Sequence, residues 1–302
     1  MTPAFPRFAR LRREHERLVR RLTSAMPPYS DALFSNLYAW NTTESAEISV
    51  LHGNLVVRMT DYETDAPLVM LAGTQRVERT VERLLCHAIA EGLPPALHLV
   101  PEATVRAAPN LERSFRVTAD LAAYDYVYRA EEMAALRGGE YQDLRARIRR
   151  FRRFGPAELR RVELGDRAAQ ALLLDLFDRW AAQKGVEAER ATAKERAALV
   201  RYLSLAGDPR HLGLVLYDGE GQPRAFAIVE MLGRGLANGH FAKGDREAPG
   251  SGDALRQHVA AYLREQGVRY LNAEQDLGRT GLRTAKQAWR PSLYLRKFTI
   301  RP

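Results

Sequence analysis

The residues best suited to chemistry lie near the C-terminus, where Asn272-Ala-Glu-Gln-Asp-Leu-Gly278 is followed by Gly281-Leu-Arg-Thr-Ala-Lys286. Two carboxylates, Glu274 and Asp276, and two cations, Arg283 and Lys286, fall within this one stretch. A carboxylate can accept a proton or hold an ammonium group, and Arg or Lys can steady an oxyanion or a phosphate. The run 268–273 just before them is mostly apolar and predicts a buried strand that ends where the polar residues begin. Arg283 and Lys286 are spaced one helical turn apart, so a short helix after that strand would present them together. The end of a strand feeding a helix is where α/β sheets commonly place chemistry. The competing reading of the same charges is a salt-bridge network that caps the strand.

A second concentration of charge lies between Arg145 and Arg161, with eight arginines and one acid, Glu158. On a helix, Arg145, Arg149 and Arg152 or Arg153 share one face, with Arg150 beside them, while Ile148 and Phe151 point elsewhere. Such a face suits a phosphate backbone; a simply solvated basic helix has the same pattern.

These residues need a scaffold, and the chain has material for one. It has 302 residues, 46% of them hydrophobic and 27% charged, with a formal net charge of +9. That length accommodates two domains, and the positive excess favours polyanionic partners: nucleic acid, anionic lipid or a phosphorylated cofactor. No apolar run is long enough for a transmembrane segment, and the Arg-rich N-terminus lacks a signal-peptide core, so the expected location is the cytoplasm. The lone Cys86, next to Leu84 and Leu85, reads as a buried helix residue. The seven histidines and one cysteine show no metal-ligand spacing, and there is neither a Gly-x-Ser-x-Gly elbow nor a Walker loop.

Patterning predicts one supersecondary order, used twice. In the first half, a hairpin over 48–58 turns at Gly53-Asn54, a strand covers 67–71, a helix carries Val77, Val81, Leu84, Leu85 and Ala88, and a strand covers 96–100. In the second, strands over 212–216 and 225–232 flank Asp218-Gly-Glu-Gly221. A strand near His240-Phe241, a helix with Leu255, Val259, Tyr262 and Leu263, and the strand 268–273 follow. Before this second copy come a strand over 159–164 and two helices. The first starts at Asp166 and buries Leu172, Leu173, Leu176, Phe177 and Trp180; the second opens with a capping box, Thr192-Ala-Lys-Glu195. Tyr126 and Tyr128 would share one face of a strand. The boundary between the halves is expected near 125 to 140 and is placed at 135/136.

This order is similar to the GNAT-type acyltransferase fold, so the expectation is an α/β (α+β) protein of two tandem GNAT-like lobes with mixed, largely antiparallel sheets. The loop Glu247-Ala-Pro-Gly250-Ser-Gly252 enters a helix N-terminus, and Gly250 and Gly252 are the candidates for binding a cofactor such as acyl-coenzyme A. GNAT enzymes place Gln or Arg at the first position of a similar loop; Glu247 puts an anion there.

Four motifs sharpen the resemblance: Phe34-Ser-Asn-Leu-Tyr-Ala-Trp40; Asp125-Tyr-Val-Tyr128 with Leu136-Arg-Gly138; Arg147-Ile-Arg-Arg-Phe151; and the C-terminal Asn272–Lys286 stretch. From about residue 30 onward they resemble the bacterial proteins related to the C-terminal catalytic domain of phosphatidylglycerol lysyltransferases. The resemblance implies transfer of an aminoacyl group from aminoacyl-tRNA to a hydroxyl or amine of a lipid or small molecule, with no cofactor required and no metal. It implies a tRNA partner and allows peripheral contact with an anionic membrane. An acyl-coenzyme A N-acyltransferase and a nonenzymatic polyanion-binding module are the alternatives. Under the first reading, Asp276 or Glu274 accepts a proton or binds the aminoacyl ammonium, and Arg283 and Lys286 steady the oxyanion or the terminal phosphate. Lys243 is a further catalytic candidate. Asn272, Tyr126, Tyr128 and Lys297 are candidates for substrate binding, and Arg145, Arg149, Arg150, Arg152 and Arg153 for holding tRNA. Related soluble proteins carry Glu-Lys where this chain has Ala242-Lys243.

Overall fold

The computed structural model describes residues 3–61, 63–185 and 188–302. The chain divides into two compact units. The first comprises Met1–Asp125, Gln275–Arg279 and Tyr294–Pro302; the second comprises Tyr126–Glu274 and Thr280–Leu293.

The first unit contributes β1 (Ala9–Arg10), β2 (Glu47–Leu51), β3 (Asn54–Thr60), β4 (Pro67–Ala72), β5 (Leu97–Pro101) and β6 (Arg116–Ala119). β2, β3 and β4 pair antiparallel, and β5 runs parallel to β4 after the helix Val77–Ala90. A parallel neighbour requires such a crossover, because a tight turn can join only antiparallel strands. The β2–β3 turn is made by His52 and Gly53, both at positive φ (51° and 82°), one residue earlier than the expected Gly53-Asn54. Asn54 instead begins β3, and its buried amide clasps Gln75, accepting from the N–H at 2.9 Å and donating to the carbonyl at 2.6 Å. The helix buries Val77, Val81, Leu84, Leu85 and Ala88 against Val56, Leu71, Leu97 and Val100. Cys86 is exposed, contrary to expectation: the buried stripe is already filled by its neighbours, and the next residue is rotated off it.

The second unit is built on β7 (Asp125–Arg129), β8 (Glu158–Val162), β9 (His211–Tyr217), β10 (Pro223–Gly233), β11 (Leu236–Gly244) and β12 (Tyr270–Asn272), flanked by β13 (Leu293–Leu295). Its sheet order is β13-β7-β12-β11-β10-β9-β8. β8 through β11 are antiparallel, and β12 runs parallel to β11 after the helix Ser251–Glu265. Alternation along the strands divides the two faces. Leu212, Leu214, Leu216, Ala225, Ala227 and Val229 join a core with Leu144, Ile148 and Phe151 of the helix Gln142–Phe151 and Leu255, Val259 and Leu263 of Ser251–Glu265. The opposite face is met by the helices Arg167–Ala182 and Glu189–Leu203.

Asp166 caps the first of these two helices, its carboxylate accepting from the Ala168 N–H at 3.1 Å. Leu173, Leu176 and Phe177 are buried as expected, whereas Leu172 and Trp180 are half-buried. The Thr192 capping box does not form. The second helix already starts at Glu189, so Thr192 lies inside it and its hydroxyl donates back to the carbonyls of Ala188 and Glu189.

The last strand, β14 (Lys297–Arg301), returns to the first sheet, whose order is β1-β2-β3-β4-β5-β14-β6. The order antiparallel meander, helix, parallel strand thus occurs in both units, and the fold is two GNAT-like lobes with mixed sheets. The first division falls at 125/126, at the near edge of the expected 125–140 region, because β7 pairs antiparallel with β12 and commits the residues after Asp125 to the second sheet. Each lobe takes the strand beside its parallel pair from a distant segment, β14 in the first and β7 in the second.

Candidate active site

A row of polar residues crosses the second sheet. His211 of β9 opposes Glu230 of β10, Glu230 opposes Asn238 of β11, and Asn238 opposes Asn272 of β12. All four are buried. Cross-strand neighbours in register lie close enough for their side chains to interact, so the sheet gathers polar groups where a core would ordinarily be apolar. A register shift between Ile228 and Val229 leaves His240 as an extra residue on β11, between Phe241 (opposite Ile228) and Gly239 (opposite Val229). Bulges of this kind re-aim a side chain and are common beside active sites.

The bulge places the His240 ring between two carboxylates. Nε2 lies 3.2 Å from Glu230 and Nδ1 lies 3.2 Å from Glu274. Burial acts to lower the pKa of His240, but the two carboxylates outweigh it and the value is pushed up to about 9. Glu230 is in turn 3.5 Å from Arg210, which is paired with Asp208. The Tyr202 ring packs tilted at 47° against the His240 ring, centroids 4.7 Å apart, and its hydroxyl meets His211 Nδ1 at 2.5 Å. Burial lowers the pKa of His211 and, with nearby carboxylates, raises that of Tyr202, so both favour their neutral forms.

Glu274 is held by backbone as well as side-chain contacts. It sits at φ 61°, a conformation that costs a non-glycine residue of order 1 kcal/mol and recurs at functional sites. Its N–H donates to Asn272 Oδ1 at 2.8 Å, and its carbonyl accepts from Tyr126 N at 3.1 Å and from Lys286 Nζ at 3.2 Å. Its Oε1 accepts from Asn238 Nδ2 at 2.7 Å. Asn238 Oδ1 is buried without a hydrogen-bond partner among the described residues. Glu274 keeps 16% of its side-chain surface while His240 has none; at the other end of this chain of charges Arg210 and Asp208 keep 26% and 28%.

The structure sorts the other expected site residues. Asn272, Glu274, Lys286, Tyr126 and Tyr128 come together: Lys286 also donates to the Ala273 carbonyl and lies 5.6 Å over the Tyr126 ring, and the Tyr128 hydroxyl donates to the Lys286 carbonyl at 2.9 Å. Lys286 therefore clamps the end of β12. Arg283 is half-buried one turn before Lys286 on the helix Thr280–Ala288. Asp276 belongs to the first unit and is wholly buried, its carboxylate accepting from the Gly278 N–H at 2.8 Å, a turn-forming contact. Lys243 is seated elsewhere, 2.6 Å from Glu195 and 4.0 Å over the Trp180 ring.

Lys297 departs furthest from expectation. It is wholly buried in the first unit and donates to Asp125 at 2.6 Å, to Ser30 at 3.2 Å and to Asp31. A lysine sealed among its own counterions has no face for a substrate.

Of the arginines, Arg149, Arg150, Arg152 and Arg153 are exposed. Arg145 is turned inward, and its guanidinium donates to the carbonyls of Leu136 (2.7 Å) and Gly138 (2.6 Å), which makes it a fastener of the preceding turn. Gly250 has a packing reason to be glycine: a Cβ there would meet the Arg147 carbonyl at 2.1 Å, and its φ is +92°. The amides of Arg246, Glu247, Ala248 and Ser251 already donate within the protein, and the carboxylate of Asp245 sits among them.

The sequence of residues 24–301 matches the family model for the phosphatidylglycerol lysyltransferase C-terminal domain. The chain belongs to this family. Three solved structures share the fold of this lysyltransferase relative. A conserved protein of unknown function from Bacteroides thetaiotaomicron is 24% identical, with a TM-score of 0.82 over 100% of this chain and 99% of that one. The C-terminal domain of a candidate lysylphosphatidylglycerol synthetase from Agrobacterium fabrum is 14% identical, with a TM-score of 0.63 over 95% and 92%. L-PGS from Bacillus licheniformis is 15% identical, with a TM-score of 0.62 over 94% and 91%. Among curated proteins, none matches the chain. Family membership supports an acyl- or aminoacyl-transferase in coarse terms. None of the helices among the described residues is long and apolar enough to cross a membrane.

His240, Glu230, Asn238, His211 and Tyr202 escaped the reading of the sequence. The available signal was polarity inside otherwise apolar strands: Glu230 interrupts Ala225-Phe-Ala-Ile-Val229, and Asn238 and His240 interrupt the following strand.

Proposed function

We propose that the protein transfers an aminoacyl group from aminoacyl-tRNA to a hydroxyl or amine acceptor on a lipid or small molecule. The observation that carries this reading is the half-buried Glu274 carboxylate, which accepts from Asn238 and sits 3.2 Å from the wholly buried His240 ring. A general base works best when it can give up its charge near the working pH. A carboxylate that already accepts hydrogen bonds, one from a cation, is better suited to stay anionic and hold a cation. Glu274 is therefore assigned to the ammonium group of the aminoacyl moiety.

The donor ester is already activated, so the chemistry needs orientation more than a nucleophilic residue. The acceptor oxygen or nitrogen forms a bond to the ester carbonyl carbon, the bond from that carbon to the ribose oxygen breaks, and the acceptor's proton ends on the departing ribose oxygen. Arg283 is the candidate for steadying the oxyanion. The exposed Arg149, Arg150, Arg152 and Arg153 would hold the tRNA backbone. The phosphatidylglycerol named in the family's description favours a lipid acceptor, which a positively charged protein would meet at an anionic membrane surface.

The test is incubation with radiolabelled aminoacyl-tRNA and lipid or metabolite extract, with the labelled product identified by mass spectrometry. Label in a product with wild-type protein, and its loss with Glu274→Gln, is the expected result. No labelled product from any aminoacyl-tRNA would overturn the donor assignment.

A further inference from the structure

Resting on the reading of Glu274 above, we propose that His240 is the positioning residue of the site: its doubly protonated ring, seated by Glu230, fixes the Glu274 carboxylate in place and releases it when the ring loses a proton. The geometry makes the case without reference to titration. Both ring nitrogens face carboxylate oxygens, Nε2 toward Glu230 and Nδ1 toward Glu274, each at 3.2 Å. A neutral imidazole has one N–H and can satisfy one acceptor; only the doubly protonated ring satisfies both. The side chain is fully buried, so water cannot substitute for the missing donor.

The surroundings keep the ring where it is. His240 is the inserted residue of the bulge, so its orientation is built into the β10–β11 register. Tyr202, on the helix Glu189–Leu203, covers the ring face, and its hydroxyl is engaged with His211 of β9 and so does not compete for a His240 nitrogen. Asn238 Nδ2 of β11 donates to Glu274 Oε1 at 2.7 Å and lies 3.2 Å from Nδ1; in the doubly protonated ring Nδ1 gives its hydrogen to Glu274, and only after its loss can Nδ1 accept from Asn238. Glu230 of β10 is braced by Arg210, and Arg210 by Asp208. The charged and titratable groups around the ring are therefore Glu230, Glu274, His211, Tyr202, Arg210 and Asp208. With the imidazolium present, the carboxylates are separated by a cation. Once it loses a proton, the buried Glu230 and the half-buried Glu274 share one N–H, and the more exposed of them, Glu274, is the one released. The raised pKa of His240, about 9, puts that event in an accessible range.

The experiment pairs imidazole NMR titration with initial-rate pH profiles on wild type, Glu230→Gln, Glu274→Gln and His240→Gln. His240 is expected to titrate near 9 in wild type and at least about one unit lower in either carboxamide variant, since each removes one of its two anions. The alkaline limb of kcat/KM should follow it, moving down in Glu230→Gln. His240→Gln should lower kcat/KM about 100-fold and abolish the limb. His240 titrating at or below 6.5, or unmoved in Glu274→Gln, overturns the proposal whether or not transfer is detected. Folded His240→Gln with wild-type kcat/KM and an unchanged limb also overturns it. If no aminoacyl-tRNA serves as donor, the donor reading fails and the NMR titrations alone decide the role of His240. Should His240→Gln not fold, Glu230→Gln decides the question, because it keeps the ring and removes only its seat.

Discussion

Each unit of this molecule encloses one cation between two carboxylates, and the two arrangements serve different ends. In the first unit Lys297 lies between Asp31 and Asp125; in the second His240 lies between Glu230 and Glu274. The lysine cluster is closed. Lys297 and Asp125 have no exposed side-chain surface, Asp31 keeps 9% against 16% for Glu274, and Asp125 is also saturated by the Ser30 N–H at 2.7 Å and hydroxyl at 2.6 Å. Its two carboxylates raise the Lys297 pKa above the ordinary lysine value against the opposing effect of burial. The histidine cluster is open at one end, because Glu274 reaches solvent. A closed set of charges can only organise the chain around it. An open set can present one member, held in geometry and charge, to something outside.

The sharpest way to break this comparison is to remove the cation of the closed cluster. Lys297→Ala should destabilise the protein by about 3–5 kcal/mol, since it strands two buried carboxylates. Urea denaturation followed by circular dichroism measures it. A small stability loss with a large loss of transfer would return Lys297 to the list of substrate-binding residues. Glu274→Gln should do the opposite: a fall of about 100-fold in kcat/KM, with a stability loss of only about 1–2 kcal/mol near neutral pH, the cost of lowering the His240 pKa by about one unit. A melting temperature that drops in step with activity would make the open cluster scaffold as well.

The contrast also explains what could be read from the sequence. The strand and helix order was legible, because it depends on local alternation and on the glycines and prolines that punctuate it. The clustering of Asn272, Glu274 and Lys286 was legible because those residues are close in sequence. The burial of Lys297, expected as a substrate ligand, was not legible because its counterions lie 172 and 266 positions away, and no local pattern links them. His240 escaped for a related reason. It acquires meaning from a bulge and from Glu230 across the sheet, and a one-residue register shift leaves no mark on composition. Arg145 looked like part of the basic face, yet it is spent on carbonyls only nine and seven residues away, which helical periodicity does not anticipate.

The two clusters also differ in how they respond to pH. His240 has a folded-state pKa raised from 6.5 to about 9, so its contribution to stability is complete below about 6.5 and is lost as pH climbs toward 9. The loss between those limits should be of order 2–3 kcal/mol. Urea midpoints measured across pH 6 to 10 test this, and Glu274→Gln should flatten the decline. The lysine cluster should contribute nothing to the slope in that window, because its pKa is raised above 10.5. A wild-type midpoint that stays level from 6.5 to 9 would remove the imidazolium from the open cluster.

The smallest expected effect lies on the surface and concerns what the open site serves. Arg149→Glu with Arg153→Glu should weaken tRNA binding about tenfold and reduce the slope of log affinity against log salt by roughly 1.5, because each lost phosphate contact releases fewer counterions. Both side chains are exposed, so folding should be unaffected. Arg145→Glu is the internal control. Its guanidinium fastens the carbonyls of Leu136 and Gly138, so this change should lower the melting temperature and leave the salt slope of the folded fraction unaltered. If the double variant binds tRNA with wild-type affinity and slope, the basic helix is merely solvated and the donor must be held elsewhere. If Arg145→Glu changes the slope as much as the double variant does, the division between fastening and phosphate-binding arginines fails.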